Sequence, residues 1–128
     1  MSSAELSACL RDNTTHPWKP PGGGYIGALS HDLIHGLDIT VGAGLERVVP
    51  VERVSMVLEN LTPRQLKSFG VRLAGVELRA DDLAWTTGSG VPVTGAAQNL
   101  LLVLCGRKLP VGLLSGAESS RFTAAPAA

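Results

Sequence analysis

Ser30-His31-Asp32-Leu33-Ile34-His35-Gly36-Leu37-Asp38 places two of the chain's three histidines four residues apart, inside the longest helical pattern of the sequence. That pattern runs from near Tyr25 to about Val41, with Ile26, Leu29, Leu33, Leu37 and Val41 at i, i+3, i+4 spacing, and Gly42 and Gly44 mark its end. At about 100° per residue, His31, His35 and Asp38 fall within roughly 60° of arc, and the apolar set Ile26, Leu29, Leu33 and Leu37 lies nearly opposite. Imidazoles at i and i+4 point the same way, which is how a helix offers two nitrogens to one metal ion. The plain alternative is a polar stripe facing solvent. Asp38, one turn beyond His35, can accept the imidazole N–H turned away from a metal, or ligate it directly. A zinc site usually takes three protein ligands and an open position, so the pair does not complete one. Asp32 lies about 100° round the helix from His31 and is poorly placed to join it. His16, next to Pro17, reads as exposed.

Outward from this helix, Leu6 and Leu10 give Ala4 to Arg11 a short helical pattern with Ser3 as its N-cap. The segment Asp12 to Gly24 is broken by prolines and glycines, and Trp18 is expected to anchor it. Pro50 suits the first turn of a further helix through Val54, Val57, Leu58 and Leu61. The pattern then changes near Thr62-Pro63. Val71, Leu73, Val76 and Leu78 predict a strand with a bulge near Ala74-Gly75, and Leu83 to Thr87 predicts a second. Gly88-Ser89-Gly90 reads as a hairpin turn into Val91-Pro92-Val93. Thr94 or Gly95 opens a helix from Ala96 to Cys105, closed by Gly106, and Ser119 to Ala128 reads as a loose tail. The expected class is α+β: a helical region over residues 1–63, then a small α+β domain over 64–128 with a short sheet and a C-terminal helix.

Eleven basic and eleven acidic residues balance to zero formal charge, and no basic run stands out, which argues against a nucleic-acid partner. The longest apolar run, Leu100 to Cys105, is far short of a membrane span. The N-terminus lacks the basic start and apolar core of a signal peptide, and Cys9 and Cys105 read as free thiols, so the expected compartment is the cytoplasm. Cys105, in an apolar helix, is a buried small hydrophobe rather than a nucleophile. Trp85 reads as packing, and no helix follows Gly88 and Gly90 at phosphate-loop spacing. Arg107 follows the last helix, where a cation complements the C-terminal dipole.

The order of these features resembles the mycothiol-dependent maleylpyruvate isomerase family of actinobacteria, whose metal-binding domain is DinB-like. The matching elements are Pro20-Pro21-Gly22, then Leu29 to Ile39 with its two histidines, and Pro50 opening the next helix. They continue with Val71-Arg72-Leu73, Trp85 with Gly88 and Gly90, Val93-Thr94-Gly95, and Leu104-Cys105-Gly106-Arg107. The resemblance implies a DinB-like bundle, here partial, followed by a domain similar to sterol-carrier proteins. It implies a divalent metal, most often zinc, with His31 and His35 as ligands, Asp38 behind them, and Arg107 as the catalytic group that holds a substrate carboxylate. The implied reaction is isomerisation or thiol transfer on a small electrophile, with mycothiol as cofactor. The isomerase has a glutamate at the position of His31, where DinB-like relatives have histidine. Family members carry two long helices, one with a further histidine ligand, ahead of the part that matches. The expectation is therefore a truncated chain, or a homodimer or partner chain that completes the bundle. The alternative is a non-catalytic remnant or interaction module of the same fold.

Overall fold

The computed structural model describes residues 1–19 and 21–125. Pro20 of the expected Pro20-Pro21-Gly22 loop and the last three residues of the expected tail lie outside them. The fold is α+β. Helices α1 (Ser3–Asp12), α2 (Gly24–Gly42), α3 (Val51–Asn60) and α4 (Pro63–Phe69) precede strands β1 (Val76–Ala80), β2 (Thr86–Gly88) and β3 (Val91–Gly95). Helix α5 (Ala97–Leu104) and a 3-10 turn (Ser119–Phe122) follow. No described helix is long and apolar enough to cross a membrane.

Helix α5 is apolar apart from Gln98 and Asn99 and is buried accordingly: Ala97 and Asn99 through Leu104 are all shielded from solvent. It contacts β1 of the sheet as well as α2 and α3. Leu33 and Leu37 of α2 join Val54, Val57 and Leu58 of α3 in the same core as Leu100 to Leu104, Val76, Leu78 and Val93. Helices continue past the expected change at Thr62-Pro63 as α4, the sheet begins only at Val76, and the apolar core runs across this stretch without a break.

The sheet order is β2-β1-β3, with β2 antiparallel and β3 parallel to β1. β2 and β3 are therefore not the expected hairpin. Gly88 stands opposite Glu77 and Val91 opposite Val76, so Ser89-Gly90 carries the chain past the start of β1 to its other edge. Gly90 has φ +132°, and a Cβ there would run into the Gly75 carbonyl, so this crossing requires glycine.

Other expectations shift for identifiable reasons. The strand begins at Val76, because the carbonyls of Arg72 and Ala74 accept hydrogen bonds from the Arg121 guanidinium at 2.9 Å each. The second strand is only Thr86–Gly88, since Leu83 to Trp85 turns on a Trp85 N–H to Leu83 carbonyl bond. Gly95 closes β3 and does not open α5; the first helical N–H, of Ala97, donates instead to Asp82 Oδ1 at 2.9 Å. Ser2, not Ser3, caps α1, in a reciprocal pair with Glu5. That contact holds the Glu5 carboxyl below the usual carboxylate range. The stretch from Ser119 is docked as far as Ala124, with Phe122 buried and Leu109 bonded to Phe122 and Ala124 through the backbone. Trp18 does not anchor its loop, being 59% exposed. Trp85 does pack against the core, and both cysteines are free. Replacing Gly90 by Ala is expected to destabilise the fold by about 3 kcal/mol, read as a lower denaturation midpoint; an unchanged midpoint would refute the strained crossing.

Candidate functional site

Two helix ends set the geometry of the site. α2 closes with Gly44 in the left-handed region, its N–H bonded to Val41 O and that of Leu45 to Thr40 O. α5 closes the same way: Gly106 has φ +82° and donates to Val103 O, while Arg107 donates to Leu102 O. This second motif turns Arg107 back over the helix end. Its Nη1 donates to the Cys105 carbonyl at 2.8 Å, satisfying an open C-terminal carbonyl.

Another edge of the guanidinium meets α2. Nε and Nη2 of Arg107 donate to the two carboxylate oxygens of Asp38 at 3.1 and 2.9 Å, a bidentate pair across 69 residues of sequence. The pairing holds the Asp38 carboxyl below the usual carboxylate range and raises the arginine further. Asp38 Oδ2 also lies 3.5 Å from His35 Nδ1, and the His35 and His31 rings stand 5.0 Å apart between centres. Arg107, Asp38, His35 and His31 thus form one file along α2. Asp38 sits behind His35 as expected, but its firmer partner is Arg107. Burial pushes the Cys105 thiol up to about 11, which rules it out as a nucleophile at neutral pH.

The histidines open on a groove of about 670 Å³ between α2 and the α3–α4 corner, walled by Ile26, Ile34, Leu61 and Phe69. Most of its polar groups are committed. The Ser30 hydroxyl donates to Ile26 O and Asn60 to Met56 O, while Thr62 and Gln65 bond each other in a capping box. His31 and His35 bond no other described side chain apart from the Asp38 contact. They are the groove's available nitrogen donors. His16 is exposed and takes no part; among the described residues, no three His, Cys, Asp or Glu side chains converge as a metal-binding group.

The α4 wall was not anticipated from sequence, although Thr62-Pro63-Arg64-Gln65 carries its signal, a capping box with proline at the first helical position. The Asp38–Arg107 pair had no local signal. Comparison of the chain with known protein families, with curated proteins and with solved structures finds no match.

Because the folded-state pKa of Asp38 is depressed, its ion pair stabilises the fold above the unfolded carboxyl value, and that contribution is lost as pH falls through the folded value. Asp38→Asn should be less stable than the parent at pH 7 by at most about 1 kcal/mol, given the partial exposure of both groups. Urea midpoints of the two proteins should converge as pH falls through the depressed folded value of Asp38. A constant difference across that range would show that the pair contributes nothing.

Proposed function

We propose that the α2 groove is a small-molecule site in which His31 and His35 hold a divalent metal ion, zinc first among candidates. The carrying observation is the histidine pair itself: one helical turn, 5.0 Å between rings, and Asp38 beside the Nδ1 of His35. The residues present suit two ligand positions. Further positions would be filled by water, by a thiol ligand or by another chain, since no third side chain converges among the described residues. A bound ion of this kind lowers the pKa of a thiol or water that it holds. The resemblance to mycothiol-dependent isomerases supplies the proposed reaction, addition of the mycothiol thiol to a small electrophile such as an unsaturated diacid. The chain's own contributions are the apolar walls, which shed water from the ligand, and Arg107. With three N–H groups engaged by Asp38 and Cys105, that arginine keeps two N–H groups for a substrate carboxylate.

Calorimetric titration with zinc, with metal analysis of the dialysed protein, tests this. Saturable binding is expected, weakened at least about tenfold in both His31→Ala and His35→Ala. Binding that survives both changes, or no binding by the parent, overturns the proposal. A second reading, an interaction module without catalysis, is favoured by α1. That helix has no buried residue, and Leu6 and Leu10 on its apolar side are 52% and 74% exposed. Light scattering separates the two: a metal-free dimer supports the module, and a zinc-bound monomer supports the site.

A further inference from the structure

A second cavity, of about 480 Å³, lies at the other end of α2, between the end of that helix, the 44–48 loop, the start of α5 and the 110–113 loop. Its size falls in the range of small-molecule pockets. Val41, Leu45 and Leu113 give it apolar walls. Two features of its polar lining are not explained by folding alone.

Asn99 is the single buried polar residue described, 8% exposed on a helix whose remaining residues, Leu100 to Leu104, are all apolar and buried. Among the described residues no group bonds its side-chain amide, yet no side-chain polar atom is both sealed off and unpartnered, so the amide keeps its opening through the cavity that it lines. A buried amide without a protein partner is an uncommon arrangement and invites a ligand's polar atom. Arg47 lines the same cavity, and no carboxylate pairs with it among the described residues, Glu46 of the same lining included.

Arg47 is also held in place. Gln98 accepts from the Val49 N–H at 2.8 Å and donates to the Arg47 carbonyl at 2.7 Å, clamping the loop backbone to α5. The guanidinium lies over Gly36, where a Cβ would overlap its Nη1. Glycine in mid-helix disfavours the helix relative to alanine, and here it opens the space that the guanidinium takes.

We infer that this cavity binds a small amphipathic carboxylate, its carboxylate on Arg47 and within reach of the Asn99 amide, and its chain against Val41, Leu45 and Leu113. A guanidinium matches a carboxylate in a planar fork, an amide both donates and accepts, and the apolar walls favour a hydrocarbon body over a bare anion.

Two-dimensional amide NMR of the full chain, titrated with octanoate and in parallel with octanol, tests the assignment. Octanoate is expected to give saturable shifts centred on Arg47, Gln98, Asn99 and Leu113, with a Kd of about 1 mM or tighter. Octanol should bind at least about tenfold more weakly, and Arg47→Gln should lose at least about tenfold for octanoate while leaving octanol unchanged. Gly36→Ala, which displaces the guanidinium from α2 without touching the cavity walls, should weaken octanoate in the same sense. Equal affinity for the two ligands, an undiminished response in Arg47→Gln, or shifts centred on the histidine groove would each overturn the inference. Arg47 is exposed, so its replacement leaves the core intact and the comparison interpretable.

Discussion

Helix α5 can lie between a sheet and two helices only because nearly every side chain from Ala97 to Leu104 is apolar, and burying it demands partners on all sides. The rest of the architecture meets that demand. β1 offers Val76 and Leu78, α3 offers Val54, Val57 and Leu58, and α2 offers Leu33 and Leu37. Its ends need separate treatment, since backbone groups at a buried terminus must be satisfied. Asp82 accepts from the first N–H and Arg107 donates to the Cys105 carbonyl. Both come from outside the helix.

The same end treatment builds the histidine groove. Once the glycine-closed terminus of α5 has turned Arg107 back, its fork engages Asp38 and fixes the face that α2 turns outward. Leu33 and Leu37 seal the inner face, and His31 and His35 are left beside the α3–α4 corner. A packing constraint and an ion pair together orient the file of polar residues. Neighbouring polar groups are taken up by bonds within their own helices and by the α4 capping box, and leave the two histidines facing the groove with only the Asp38 contact.

Helical periodicity made α2 and α3 legible to within a residue or so, since their apolar faces repeat regularly and their ends carry glycine or proline. The sheet was legible in composition but not in pairing. Val71 and Leu73 alternate like a strand, yet Arg121, some fifty residues on, takes the carbonyls beside them. Gly88-Ser89-Gly90 has hairpin chemistry, and β1 instead lies between the two strands that it joins. Local sequence is the same for both connections; the difference lies in which partner strand is available. The C-terminal stretch looked like a tail because its small polar residues carry no period; buried Phe122, the backbone bonds to Leu109 and the Arg121 guanidinium dock it.

The sequence by itself determined the α+β class, the principal helices and the placing of His31, His35 and Asp38 on one face, because these follow from spacing along one helix. Tertiary structure alone decided that Arg107 reaches Asp38, that α4 walls the groove, and that Asn99 and Arg47 share a second cavity. Those contacts join residues tens of positions apart. Their energies depend on burial and mutual orientation, which no local pattern encodes.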